Sequence, residues 1–263
     1  MSKMSFVLGS TQHGPMLFSR LDYRMVDANQ GYGVGFQLME KGSFDPEEIN
    51  FVKQLLLARR KHHGDGVVAL DCGANIGVHT IEWAKLMEGW GSVTAFEAQE
   101  RIFYALAGNI TLNNCFNARA VLAAVGDKTG HIDIPNPNYL ESSSFGSFEL
   151  AKTANTEFIG QDIDYENGPK TRIPMITLES LALKRLDLLK IDIEGMEMQA
   201  LDGASDMIEK TRPIVVIEVI KSDKAEIESY LGSMGYTLFA FGLNYLAVHQ
   251  DDPVLGDIQM TPI

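Results

Sequence analysis

The chain has 263 residues, 45% hydrophobic and 22% charged, an ordinary balance for a folded protein with a full core. Lys+Arg total 22 against 35 Asp+Glu, a net charge of −13, which argues against nucleic acid or an anionic membrane as the main partner because phosphate binding needs clustered cations. Cys72 and Cys115 make neither a disulfide framework nor a zinc motif, and no apolar run approaches a signal-peptide core or a membrane span, so the expectation is a reduced, cytoplasmic protein.

Residues 1 to 44 give a weak signal. The glycines and aromatics of GYGVGFQLMEKGSF suggest loops or a short hairpin. DPEE, Asp45 to Glu48, predicts a helix start, with Asp45 as cap, Pro46 in the first position and Glu48 as capping-box acid. Ile49, Val52, Leu55 and Leu56 give that helix one apolar face, and it should end near His63-Gly64, with ARRKHH as its polar end. From Val67 a repeating pattern begins: strand VVALDCG, helix Val78 to Met87, strand Ser92 to Ala98, helix Arg101 to Asn113, and a strand over Ala120 to Val125. A fourth strand (Leu186 to Gly195) is followed by a helix, a fifth covers Pro213 to Val219, and a helix over Ser222 to Met234 stops at Gly235. TLFAF and YLAVH, joined by GLN, predict an antiparallel pair at a sheet edge. Alternating strands and helices predict an α/β fold: a doubly wound, mostly parallel, Rossmann-like sheet covered on both faces. We divide the chain into an N-terminal cap segment and helix (1–66) and a Rossmann-like domain (67–263). The polar stretch 135–172 reads as a substrate-side insertion.

In such sheets ligands bind beyond the carboxyl ends of the strands. The first strand ends in D-C-G-A-N-I-G, Asp71 to Gly77. This is neither the G-x-G-x-x-G of dinucleotide enzymes nor a P-loop, since G-V-H-T follows. A carboxylate at Asp71 also suits a phosphate poorly. S-adenosylmethionine removes the conflict, because it carries an ammonium, a carboxylate and a sulfonium but no phosphate. Asp71 would face the ammonium, and the N–H groups of the turn and of the next helix would face the carboxylate. Glu97 ends the second strand, where an acid accepts from ribose hydroxyls. The plainer reading is that Asp71 caps a helix and Glu97 is an ordinary strand-end acid.

Further acids follow the fourth strand in KIDIEGME. Asp192 falls on the rim with Asp71 and Glu97, and Glu194 and Glu197 would share a helix face. Asp192 or Glu194 could orient an acceptor hydroxyl or take its proton, whereas Glu197 is explained by helix-start chemistry. No metal is assigned. Glu218 ends the fifth strand on the same rim, His79 reads as a packed or capping residue, and SSSFG (Ser142 to Gly146) meets either a ligand or solvent.

LDCGANIGVHT, AFEA, NITLNN, AAVGDKTG, SSSFG, ITLESL, LLKIDIEGMEMQALDGA and PIVVIEV, in that order over Val67 to Val219, resemble the FkbM family of S-adenosylmethionine-dependent methyltransferases. The resemblance implies a seven-stranded sheet with an antiparallel hairpin, and methyl transfer to a hydroxyl of a small acceptor such as a sugar. It places Asp71, Gly73, Ala74, Asn75 and Gly77 around the methionine part and Glu97 at the ribose. Ala98, Val125 and Gly126 would border the adenosine, with Asp192 and Glu194 at the transfer region. The chain departs from the family in having Glu179 for an aspartate and Ala98-Gln99 where proline usually follows the ribose acid. Two other readings are a nucleotide- or NAD-linked enzyme on the same fold and a non-catalytic binding module.

Overall fold

The computed structural model describes residues 4–27, 30–153 and 155–263. A hairpin of β1 (Phe6–Thr11) and β2 (Gly14–Ser19) comes first, then the short pair β3 (Arg24–Met25) and β4 (Gly31–Tyr32), then helices α1 (Val34–Lys41) and α2 (Pro46–His63). Alternation follows: β5 (Val67–Cys72), α3 (Val78–Leu86), β6 (Gly91–Glu97), α4 (Glu100–Leu112) and β7 (Ala118–Leu122). Strands β8 (Ala124–Val125), β9 (Gly130–Pro135) and β10 (Lys170–Ile176) form a small separate sheet. The chain then returns through β11 (Leu188–Ile191), α5 (Glu197–Asp202), α6 (Ser205–Thr211), β12 (Ile214–Glu218), α7 (Lys224–Ser233), β13 (Tyr236–Phe241) and β14 (Asn244–His249).

The main sheet has seven strands in the order β13-β14-β12-β11-β5-β6-β7. Neighbours from β12 to β7 are parallel, and β14 runs antiparallel to β12 and β13. It is the expected α/β, doubly wound, mostly parallel sheet with a C-terminal antiparallel hairpin. From β5 the chain winds one way through β6 and β7, then returns on the other side at β11. The switch point therefore lies between β5 and β11, where a crevice opens.

Side chains alternate across the sheet. Val67 and Ala69 of β5, Leu188 of β11, and Ile214 and Val216 of β12 pack with Leu56, Ile81 and Trp83 on the face covered by α2 and α3. Leu70, Leu189, Ile191, Val215 and Ile217 pack with Leu201, Ile208 and Leu231 of α5, α6 and α7 on the other. By the same alternation Asp71, Lys190 and Glu218 belong to the α2/α3 face. Lys190 pairs in register with Asp71 on one side and Val216 on the other.

The structure corrects several local expectations. Most of GYGVGFQLMEKGSF is helix α1, bounded by Gly33 and Gly42, with Val34 and Leu38 on its buried side. The strand expected over Ala120 to Val125 breaks: β7 stays in the main sheet, while β8 leaves it to pair with β10. The segment 135–172 runs into β10, whose exposed polar half hides its strand character. Asp45 makes no capping bond; Gln37 Nε2 donates to its carboxylate at 2.9 Å, and Glu48 turns to the cavity instead of completing a capping box. Glu194 and Glu197 do not share a helix face, because α5 begins only at Glu197 and Glu194 precedes it in a left-handed conformation (φ 58°).

Candidate active site

A cavity of ≈ 510 Å³ opens beyond the carboxyl ends of β5, β6, β11 and β12. Of the residues singled out from the sequence, Asp71, Gly73, Ala74, Asn75, Glu97, Ala98, Val125, Asp192 and Glu194 line it. Gly77 and Gly126 do not: Gly77 caps α3 against Leu106, and Gly126 packs behind Met175 and Met196. His79, Glu218, Ser144 and Gly146 also line the cavity, and Ser143, Ser144 and Phe145 are buried, so SSSFG is no solvated turn.

The glycine turn forms because β5 and β11 crowd together. Gly73 has φ 82°, and a Cβ there would overlap the carbonyl oxygen of Asp192. Asn75, also left-handed at φ 50°, donates its N–H to Glu97 Oε2 at 2.9 Å. The other oxygen, Glu97 Oε1, accepts from Gln99 N at 2.7 Å. Burial pushes the Glu97 carboxyl up to about 7, against the pull of these backbone donors. Asp71 is 1% exposed; its Oδ2 accepts from Thr80 Oγ1 at 2.6 Å, while its Oδ1 has no hydrogen-bond partner among the described residues. Burial raises its pKa, and the Lys190 charge opposes that rise.

Around the turn after β11, Glu197 does structural work. Its carboxylate accepts from the N–H groups of Ile193 and Gly195 at 3.0–3.1 Å and from the Ser222 hydroxyl. This holds the bend that carries Glu194. Lys190 Nζ lies 2.7 Å from Asp192 Oδ2, and Lys221 Nζ lies 2.6 Å from Glu194 Oε2. Burial, then the Asp192 charge, raise the Glu194 pKa despite Lys221, and burial with Asp192 and Glu194 raises that of Glu218. Carboxylate oxygens of Asp192, Glu194 and Glu218 lie within 4.8 Å of one another. Two of the three already face lysine ammonium groups, which compete with and repel a metal ion, so we give these acids no metal role.

The sequence reading missed the wall opposite. Glu48 of α2 accepts from Asn244 Nδ2 at 3.0 Å and lies 3.4 Å from His79 Nε2. Burial holds His79 neutral by lowering its pKa well below 6.5, aided by the charges of Lys190 and His13. Tyr32, Val34 and Glu157 bring the N-terminal region and the 136–169 loop to the same cavity. The Tyr32 hydroxyl donates to Glu157 Oε1 at 2.6 Å, and Asp22 accepts from both Gly35 N and Phe145 N. Gln99, one of the family departures, ties the adenosine edge expected at Ala98 to that loop by donating to the Phe145 carbonyl at 2.9 Å. Glu179 sits in a short 3-10 turn and caps α6 through Met207 N at 2.7 Å, a helix-start role.

Residues 71–238 match the model of the methyltransferase FkbM domain. This chain belongs to the FkbM methyltransferase family. It is similar to Methyltransferase 1 of Beauveria bassiana (strain ARSEF 2860), 26% identical over 206 residues that make up 74% of this chain and 79% of that protein. Among solved structures it is similar to methyltransferase FkbM from Methylobacillus flagellatus KT, with TM-score 0.50 and 18% identity over 70% of this chain and 44% of that one. It is also similar to WbdD, with TM-score 0.51 and 10% identity over 88% of this chain and 46% of that one. The FkbM-family chain thus spans less than half the length of either solved structure, and at these identities the likeness is one of fold.

Proposed function

We propose that this FkbM-family methyltransferase takes its methyl group from S-adenosylmethionine and delivers it to a hydroxyl of a small polar acceptor, with saccharides the first class to try. The observation that carries the cofactor reading is Asp71 Oδ1, a buried carboxylate oxygen with no hydrogen-bond partner among the described residues, on a residue that lines the cavity. A buried unsatisfied acceptor is costly, and a bound ammonium would relieve it.

On this reading Asp71, Gly73, Ala74 and Asn75 hold the methionine end, Glu97 accepts from the ribose hydroxyls, and Ala98 and Val125 border the adenosine. The bound cofactor supplies a methyl group already activated by its sulfonium. The chain's own part is positioning, worth much of the rate in an in-line displacement. The acceptor half of the cavity is lined by Glu48, Asp192, Glu194, Glu218 and Asn244. Carboxylates and amides accept hydrogen bonds from hydroxyl groups, and the carboxylates repel anions, which favours an uncharged polyhydroxy acceptor over a phosphorylated one.

Thermal shifts with S-adenosylhomocysteine, NAD and GTP test the cofactor reading. Stabilisation by S-adenosylhomocysteine alone is expected, and a shift with NAD but none with S-adenosylhomocysteine overturns it. A mass-shift screen of small metabolites incubated with enzyme and methyl donor then tests the acceptor class.

A further inference from the structure

Eight carboxylates line the cavity: Asp45, Glu48, Asp71, Glu97, Glu157, Asp192, Glu194 and Glu218. Seven are engaged. Asp45 is held by Gln37, Glu48 by Asn244, Asp71 by Thr80 and Glu97 by two backbone N–H groups. Glu157 is held by Tyr32 and Arg24, Asp192 by Lys190 and Glu194 by Lys221. Only the Glu218 carboxylate has neither a hydrogen bond nor an ion pair among the described residues. Its placement follows from the sheet: Lys190 pairs with Val216, so two residues further along both strands Asp192 and Glu218 come opposite each other on the α2/α3 face. The backbone of Glu218 is fixed by pairing with Asn244 of β14.

We propose that Glu218 is a catalytic residue of this methyltransferase, the carboxylate that receives the acceptor's hydroxyl proton, a role the sequence reading gave to Asp192 or Glu194. This rests on the cofactor reading above. The step balances without a further reactant. An acceptor oxygen lone pair forms the new bond to the methyl carbon, the carbon–sulfur bond breaks, and its electron pair stays on sulfur as a neutral thioether. The O–H proton passes to Glu218, which later releases it to solvent. Asp192 Oδ2 and Glu194 Oε2 are each occupied by a lysine ammonium, which leaves Glu218 the carboxylate free to meet the acceptor hydroxyl.

The charged groups acting on Glu218 are Asp192, Glu194 and Glu197, which disfavour its ionised form, and Lys190, which favours it. Burial and these acids leave it protonated in the free enzyme at neutral pH. A sulfonium in the cavity would draw that proton off, and a thioether would not.

The test is isothermal titration calorimetry of the full chain with S-adenosylmethionine and with S-adenosylhomocysteine, in buffers of different ionisation enthalpy at pH 7.5. Release of at least half a proton more with S-adenosylmethionine is expected, and Glu218→Gln should abolish that difference while binding S-adenosylhomocysteine within about twofold of wild type. Any proton lost from Glu97 is common to both ligands and cancels. Once an acceptor is found, Glu218→Gln should lower kcat by about 100-fold or more, within the usual worth of a general base, with little change in the KM for the methyl donor. An unchanged proton difference in Glu218→Gln, or none in wild type, overturns the assignment. Failure of either ligand to bind overturns the cofactor reading instead.

Discussion

Lys190 Nζ lies 2.7 Å from Asp192 Oδ2, with the lysine side chain only 4% exposed and the aspartate 32% exposed. The two residues occupy alternate positions at the end of β11, on the same face of the sheet. Burial alone would lower the lysine's pKa, but the carboxylates of Asp192, Glu48 and Asp71 outweigh it and hold the ammonium charged. This cation is what lets so many acids stand on one rim. Lys190→Met should cost about 3–5 kcal/mol of stability, the usual result of leaving buried charge uncompensated. Asp192→Asn should cost about 1 kcal/mol, because Asp192 reaches solvent and Lys190 keeps its other acids. Urea denaturation at pH 7 reads both, and a Lys190→Met loss under 1 kcal/mol would show the acids to be neutral.

Gly73 is fixed for two reasons that add. Its φ of 82° disfavours any side chain, and the atom in the way of a Cβ is the Asp192 carbonyl oxygen. That oxygen belongs to backbone already held by the Asp192 N–H bond to the Cys72 carbonyl at 3.0 Å, so it cannot yield cheaply. Gly73→Ala should therefore lose about 3 kcal/mol or more and weaken S-adenosylhomocysteine binding beyond the stability effect. Gly77→Ala carries the same positive-φ strain (φ 89°) but the atom in its way is the far end of the Leu106 side chain, so it should bind the cofactor better than Gly73→Ala does. Denaturation midpoints and ligand titrations of both variants check this ordering.

The centre of the main sheet was readable because its parallel strands are short apolar runs, such as VVALDC and IVVIE, that alternate with helices. Asp71, Glu97, Asp192 and Glu218 stood out because an acid ending such a run reaches the rim whatever the rest of the fold does. The opposite wall was not readable. Glu48 sits where a capping-box acid belongs, and only the packing of α2 over the sheet aims it at Asn244, 196 residues away. Helix α1 was hidden by its short length, by Gly35 inside it and by a glycine at each end. One signal was available: Lys190 inside the apolar run LLKI forces a buried ammonium, which needs acids around it.

Glu97 gives a pH dependence of definite sign. Its folded pKa of about 7 exceeds the ordinary value of 4.5, so the folded chain holds this proton more tightly than the unfolded chain. The corresponding stability is complete below pH 4.5 and is lost as pH rises to about 7, about 3 kcal/mol over that window. Wild type compared with Glu97→Gln by urea denaturation at pH 4.5 and at pH 7.5 isolates this slope. Because ribose hydroxyls donate best to the ionised carboxylate, S-adenosylhomocysteine affinity should rise up to about tenfold from pH 6 to pH 8 and level off above. A flat affinity profile in wild type would remove Glu97 from the ribose.

Lys221 couples the acid cluster to the loop above it. Besides meeting Glu194, its ammonium donates to the Ser147 carbonyl at 2.7 Å and lies 3.4 Å from Glu157 and 3.6 Å from Glu149. Glu149 in turn accepts from Thr156 Oγ1 and Glu157 N, so one cation organises both ends of the 149–157 turn. Removing it leaves three acids repelling one another and one carbonyl without its donor. Lys221→Met should speed amide exchange across residues 144–153 and 155–158 by about tenfold to a hundredfold, since losses of about 1–3 kcal/mol translate directly into local opening. Exchange in β5 and β11 should be unchanged, because their pairing does not pass through this lysine. Lys221→Arg keeps the charge and should restore most of the protection. Equal loss with arginine would mean that the fit of the four-carbon ammonium, and not its charge, holds the loop.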